Sequence, residues 1–383
     1  MDFELAPHQE AIKKVARDFV KSEFSQAVSQ SGKEDVDRNI LKKAGALGLL
    51  GITADPQYGG SGLDMLTYAV LIDEVSRVWW PAGALFSYVN SLNAFPLSEA
   101  GDHRQKQEYL VSTLSGDKLG SYALSEPDAG SDAASIKTKA ELKGSTWIIN
   151  GRKRFITNAS IADYCIVFAR TDKGSKPSQG ISAIIVDTKQ PGFQVEQAYL
   201  KMGLDSSPTC EVVLENAEAP EENLLGARGE GFKLAMKTLD IGRIGVAASA
   251  VGASQWALER TIEYVKQRKQ FGQPIATFQG IQFIIADLVS RVEAARLLAY
   301  KAAWLKSQGK PFTKEASMAK LYATEGAVEV GIACQKLFGG YGYMKEFLIE
   351  RMVRDVIAYT LFEGTSNIQR LIIVKELLLR GNV

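Results

Sequence analysis

The apolar positions of the chain change their period twice. Near the N-terminus Phe3, Ile12, Val15, Phe19, Val20 and Phe24 recur at roughly helical intervals. Further on, "DRNILKKAGALGLLGI" and "MLTYAVLIDEVSRVWW" repeat apolar residues every three to four positions on either side of the turn-rich "ADPQYGGSGLD". From about Leu119 to Arg228 the texture becomes short β-rich runs ("TWIING", "RKRFIT", "YCIVFAR", "ISAIIVDT", "CEVVLEN"), divided by turn signals such as Asn150-Gly151 and Pro191-Gly192. After Gly229 long helical patterns return and run to the C-terminus. The pattern predicts a mainly α chain with a central β-domain: an N-terminal helical domain over residues 1–118, a small β-barrel or sandwich over 119–228 and a C-terminal antiparallel helical bundle over 229–383. There is no βαβ alternation and no G-x-G-x-x-G after a strand, which argues against a nicotinamide-binding Rossmann domain.

Composition narrows the function classes. The 383 residues are 46% hydrophobic, enough for a large core, and the net charge of +1 leaves no electrostatic footprint for nucleic acid or an anionic membrane surface. Cys165, Cys210 and Cys334 lie far apart with only His8 and His103 beside them, so neither a zinc-type site nor a disulfide framework is expected. No apolar run reaches the ~18 residues of a membrane span, and the start of the chain lacks a basic region followed by an apolar one. These features lead us to expect a soluble protein of a reducing compartment. A bacterial or archaeal cytoplasm fits, as does a mature mitochondrial matrix form.

Two short stretches carry candidate chemistry. "YALSEPDAGSD" (residues 122–132) sits at the helix-to-strand seam; Pro127 and Gly130 shape the chain, while Ser125, Ser131 and free backbone N–H groups can donate to a polar ligand. From residue types alone a domain-linking turn is the better reading. In "YTLFEGTS" (359–366) an apolar run, reading as the buried end of a helix, delivers Glu363, then breaks at Gly364 with Thr365 and Ser366 able to cap a succeeding element.

The first stretch resembles the signature of the acyl-CoA dehydrogenases, flavoproteins that oxidise acyl thioesters. "QYGGSG", "RKRFITNAS", "LDIGRIGVAA", "RKQFGQPIATFQ", "FGGYGY" and "FEGTSNIQR" resemble further blocks of that family in the same order, across essentially the whole chain. The resemblance implies FAD, and a C-terminal four-helix bundle in a fold like that family's. By position Tyr122, Leu124 and Ser125 would lie along the flavin ring, Phe155 and Thr157 would close its other side, and Thr365 and Asn367 would contact it near the base. Arg268, Phe271, Gln279, Gln335, Lys336, Gly339 and Gly340 match positions holding the adenine and diphosphate end, partly from a neighbouring subunit, which implies a dimer or a homotetramer built as a dimer of dimers. Arg268 suits this because a guanidinium forks onto a diphosphate, and the glycines because backbone can then approach phosphate. Ser131, Asp240, Arg243 and Gly364 match positions along the thioester ligand, although Asp240 and Arg243, three apart on a helix, read equally as an ion pair.

Glu363 matches the family's catalytic base. A carboxylate at a helix C-terminus, desolvated among Leu361 and Phe362, should have a raised pKa, which suits a base working near neutral pH. Gly242 occupies the position at which other branches of the family carry their base, leaving one candidate here. The implied reaction is removal of an α-proton by Glu363 and transfer of the β-hydrogen as hydride to flavin N5, giving a trans-2-enoyl-CoA, with electrons passed to an electron-transfer flavoprotein. The similarity of "LDIGRIGVAA" to butyryl-type members points to a short or short branched acyl chain. An oxidase of the same fold, a dehydrogenase of cyclic acyl groups and a noncatalytic flavin-binding or DNA-associated scaffold are the alternatives. Phe362 and Lys336 depart from the Tyr and Gln that many relatives carry, and "VWWPAGALFSYVNSLN" (78–93), which by position lines the acyl pocket, is unusual in its Trp-Trp-Pro.

Overall fold

The computed structural model describes residues 4–24, 37–172 and 176–380; Phe3, in the first predicted helix, lies outside them. Helix α1 (Pro7–Glu23) begins with proline at its first turn and buries Ala16, Phe19 and Val20. After α2 (Arg38–Ala46), α3 (Met65–Val78) is capped by Asp64, whose carboxylate accepts the Thr67 N–H at 2.7 Å. It is buried on almost every side, as its apolar stretch requires. Helix α4 (Trp80–Tyr88) follows after the extended residue Trp79 and widens through a π-helical turn, Val89–Ala94. There the Asn90 side chain accepts the Ile52 N–H and donates to the Leu49 and Phe86 carbonyls, pinning the turn to the preceding loop.

The β-rich runs form one eight-stranded sheet: β1 (Gly120–Ala123), β2 (Lys139–Lys143), β3 (Thr146–Thr157), β4 (Tyr164–Arg170), β5 (Ile181–Asp187), β6 (Phe193–Val195), β7 (Thr209–Pro220) and β8 (Leu224–Leu225). Their order is β6-β7-β3-β2-β4-β5-β8, with β1 parallel to β4 at its side. The sheet curls so that β5 touches β7 across the strands between them. It encloses an apolar interior of Trp147, Ile149, Cys165, Val167, Ile184, Val212 and Leu214. The alternate residues of β4 and β5, Tyr164, Ile166, Phe168 and Ile185, face outward onto Leu92, Leu97 and Leu110 of the first segment and Leu234 of the last. That outer core is the seam where the three segments meet.

Helix α5 (Gly231–Gln267) is the spine of the last segment, packed with α6 (Gln279–Ser307) and α7 (Thr313–Phe338); α8 (Ile349–Ile357) and α9 (Ser366–Arg380) come after them. Small residues let α3 and α4 approach α5: a Cβ at Gly245 would collide with the Tyr68 and Ser87 hydroxyls, and one at Gly252 with the Asp73 carbonyl. Asp73 in turn accepts from Arg296 Nε at 2.9 Å and Tyr300 OH at 2.8 Å, bolting α3 to α6.

Candidate active site

At the seam lies a cavity of about 1210 Å³. Its walls include Pro81, Leu85 and Ser87 from α4, Tyr122 from β1, Phe155 and Thr157 from β3, Arg243, Val246 and Ser249 from α5, and the stretch from Ile357 to Thr365. Leu124, Ser125, Ser131, Glu363 and Gly364 also line it, so ten of the sequence-predicted site residues converge here although they span the chain from 122 to 365. The Trp-Trp-Pro segment contributes through Pro81, while Trp79 and Trp80 are fully buried behind it.

The loop after β1 is held in place by a buried ion pair that sequence reasoning did not find. Lys153 Nζ, on β3, donates to Glu126 Oε1 at 2.8 Å and to the Leu124 carbonyl at 3.1 Å. The same carboxylate accepts the N–H groups of Lys137 and Thr138. Burial pushes the Lys153 ammonium down to about 8 against the pull of Glu126. Burial also disfavours the Glu126 anion, but Lys153 and the backbone donors outweigh it and hold that carboxyl below its usual range. The Arg154 N–H donates to the Ser125 carbonyl at 2.9 Å, so the loop and β3 form one wall.

Phe155 does not follow simple strand alternation. The β3–β7 register shifts between Lys153 and Ile156, and Phe155 takes φ +59° at that irregularity. Its ring is turned outward, 64% exposed, tilted on Tyr199 at 5.6 Å and covered by the Arg154 guanidinium.

The turn carrying Glu363 corrects the helix-end reading. Helix α8 stops at Ile357, a 3-10 turn covers Ala358–Thr360, and Glu363 (φ +52°) and Gly364 (φ +92°) form a left-handed pair before α9. Leu361 is 60% exposed, so it does not desolvate the acid. Burial comes instead from below, where Glu363 Oε2 presses so close to Gly242 that a Cβ there would overlap it. As a residue Glu363 is half-buried, but Oε2 is closed off and has no hydrogen-bond partner. Burial raises its pKa to about 7, opposed by Lys320 and Arg243. The expected direction is found with desolvation as its cause.

The turn is clamped by two fully buried polar side chains. Lys320 Nζ donates to the Gly364 carbonyl at 2.6 Å, and Gln369 Nε2 donates to the same oxygen at 2.8 Å and to the Glu363 carbonyl at 3.4 Å. Thr365 caps α9 through its hydroxyl and the Ile368 N–H. Sequence reasoning missed Lys320, yet a signal existed: it interrupts a buried stripe of Ala316, Ala323 and Ala327 at helical spacing.

Asp240 and Arg243 form the ion pair that their spacing allows. Thr313 also donates to Asp240, while Arg243 Nε stays buried without a partner at the cavity wall. Asn367 is exposed on α9 and accepts from Arg370 at 3.0 Å; it does not reach the cavity.

The remaining predicted residues lie elsewhere. Arg268, Gly339 and Gly340 border a separate open hollow of about 580 Å³, with Tyr341 stacked under the Arg268 guanidinium at 5.5 Å. Gln335 is spent on the Gly342 carbonyl at 3.2 Å, and Lys336 and Gln279 are exposed. Phe271 stands out at 92% exposure with φ +52°.

The main cavity is built for a large ligand with few polar points. Tyr122 OH, the Asn158 amide, Arg243 Nε, Ser249 Oγ and Glu363 Oε2 are all buried, unpartnered and on its wall. Unsatisfied buried groups are rare, and this many around one apolar cavity call for a polar heteroaromatic or amide-bearing ligand to complete them.

Sequence models of the acyl-CoA dehydrogenase N-terminal, middle and C-terminal domains match residues 6–117, 121–217 and 229–378. The chain is 42% identical over 374 residues to "Acyl-CoA dehydrogenase, short-chain specific" of Clostridium acetobutylicum, covering 97% of this chain and 98% of that one. Among solved structures, butyryl-CoA dehydrogenase from Megasphaera elsdenii superposes with a TM-score of 0.95 at 41% identity, covering 99% of this chain and 100% of that chain. A chain from work on the electron transferring flavoprotein of Acidaminococcus fermentans superposes at 0.96 and 43% identity, with coverage of 99% and 100%.

Proposed function

The chain belongs to the acyl-CoA dehydrogenase family, oxidoreductases acting on CH–CH groups, and from that premise we propose that it desaturates a short acyl-CoA at the α,β bond with Glu363 as base. The observation that carries the reading is the Glu363 carboxylate, with Oε2 unpartnered at the wall of a cavity shared by all three segments. With its pKa at about 7, it is a much stronger base than a solvated glutamate and is still ionised in useful proportion near neutral pH. The Glu363 amide N–H makes no hydrogen bond among the described residues, so it is free to donate to the thioester oxygen as α-carbanion character develops. Arg243 and Ser249 offer further donors along the same wall.

Tyr122, Leu124, Ser125, Phe155 and Thr157 would hold the flavin ring of FAD, the family's cofactor, which when bound supplies a two-electron acceptor for the β-hydrogen as hydride. Thr365 would support it from the base's turn. Arg268, Phe271, Gln279, Gly339 and Gly340 would serve the diphosphate end of a cofactor held by a neighbouring subunit, because in this protomer they lie outside the cavity and are mostly exposed. Exposed apolar residues on α6 (Phe283, Ile284, Val289, Leu297) and α9 (Leu371, Val374, Leu378) support self-association into a dimer or tetramer. Electrons then pass to an electron-transfer flavoprotein, in keeping with the second structural likeness. The similarity to short-chain and butyryl members supports a short acyl chain.

The test is anaerobic titration of the purified holoprotein with butyryl, isobutyryl, isovaleryl, hexanoyl, octanoyl, glutaryl and cyclohexane carboxyl thioesters of CoA. Bleaching of the flavin band by a short-chain member, lost in Glu363→Gln with FAD retained, is the expected outcome. Absence of bleaching by every ligand in FAD-loaded protein would overturn the reading.

A further inference from the structure

Lys320 sits about two turns into α7, fully buried, and lines neither the main cavity nor the open hollow. A buried ammonium is costly, and a methionine would fill the same space without that cost. Lys320 spends one of its three N–H donors on the Gly364 carbonyl, an oxygen that Gln369 also engages.

We propose that Lys320 is a positioning residue for the base: together with Gln369 it clamps the Gly364 carbonyl, holds the left-handed Glu363–Gly364 turn and so keeps the Glu363 carboxylate over Gly242. The inference rests on the reading of Glu363 as base. The turn needs such a clamp because a non-glycine residue at positive φ, as Glu363 is, costs roughly 1–2 kcal/mol relative to ordinary backbone. Without a restraint the turn can relax and swing the carboxylate off the cavity wall. The clamp acts on the carbonyl next to the acid, which leaves both carboxylate oxygens free of Lys320 and Oε2 without any partner. A direct ion pair would quench the base; a cation held one residue away steadies its charge and leaves its lone pairs available.

The charged and titratable groups facing Glu363 are few. Lys320 acts from α7 and Arg243, paired with Asp240, from α5; the Tyr68 hydroxyl on α3 and the Tyr122 hydroxyl on β1 both sense its charge. Lys320 itself also feels Glu325 on its own helix and Arg243. Of the two cations, Arg243 is already neutralised by Asp240, so removing Lys320 removes the main stabilisation of the anion.

The experiment compares Lys320→Met, Lys320→Gln, Lys320→Arg and Gln369→Leu as FAD-loaded holoproteins, monitoring kcat, KM and the pH dependence of kcat/KM with the substrate found above. Lys320→Met is expected to lower kcat by about tenfold or more with KM little changed, and to move the acid limb of the profile up by about one pH unit. Lys320→Gln, which keeps a donor and loses the charge, should recover part of kcat and still show the shifted limb. Lys320→Arg, which keeps the charge, should leave the limb in place. Gln369→Leu should lower kcat without moving it. Should Lys320→Met not fold, the Gln and Leu variants decide the matter. An unchanged limb in Lys320→Gln, or wild-type kcat in both Lys320→Gln and Gln369→Leu, would overturn the proposal. Activity persisting in Glu363→Gln would instead remove the base reading itself, an outcome distinguishable because it does not involve Lys320.

Discussion

Gly242 on α5 and Glu363 in the turn before α9 share one space: the carboxylate lies where a side chain at residue 242 would begin. The two positions are therefore alternatives by volume, and glycine at one leaves room for glutamate at the other. Gly242→Ala is expected to push the carboxylate away from the cavity wall and to lower the bleaching rate by roughly two orders of magnitude, as a 1 Å misplacement of a reacting group does. FAD absorbance should be retained. A wild-type bleaching rate in stopped flow would show that the turn can shift without loss.

Stability should carry the signature of the buried acid. Because the Glu363 carboxyl is raised from 4.5 to about 7, the folded chain binds a proton between those values that the unfolded chain does not, and stability falls as pH rises through that window. Glu363→Gln removes this titration. The variant is expected to be more stable than the parent at pH 8, because no anion has to be buried; the gain is at most about 3 kcal/mol, since Lys320 and Arg243 lose the charge they face. Thermal unfolding of both holoproteins at pH 4 and pH 8 checks it; a gap that does not grow with pH counts against the raised pKa.

Lys153→Met strands the Glu126 carboxylate in the wall beneath the loop after β1 and removes the donor to Leu124. Breaking a buried pair by deleting one partner costs about 3–5 kcal/mol. Urea unfolding should register that loss, and FAD should wash out during gel filtration. Full FAD retention would mean that the Arg154–Ser125 backbone bond is enough to hold the loop.

If the apolar stripe on α6 is a subunit interface, Leu297→Glu combined with Phe283→Glu should yield a monomer by light scattering, with weaker FAD retention. Arg268→Met should weaken FAD retention while leaving the oligomer intact. An unchanged mass for the double variant would refute the stripe as the interface.

Much of the fold was legible because its signals are local. The switch from a three-to-four period to short β-rich runs and back appears in the structure as helices, one curled sheet and helices, since a segment's periodicity follows from the one face it must bury. The motif blocks named the loop after β1, the β3 residues and Glu363, and the structure brings them to one cavity. The bulge at Phe155 was not legible. It depends on how β3 registers against β7, more than fifty residues away, and an alternating strand read alone shows no break.

The sequence by itself determined the order of elements, the absence of a dinucleotide-binding crossover and the residue types that the site would use. Only the tertiary structure decided which of those residues meet. It separated Arg268, Gly339 and Gly340 from the cavity, moved Glu363 from a helix end to a left-handed turn, and set Gly242 beneath it with Lys320 and Gln369 behind it. The reason is physical: desolvation, steric exclusion and a cation's field act through a few ångströms of space, and here that space is bounded by α5, α7 and the turn before α9, whose proximity no local pattern encodes.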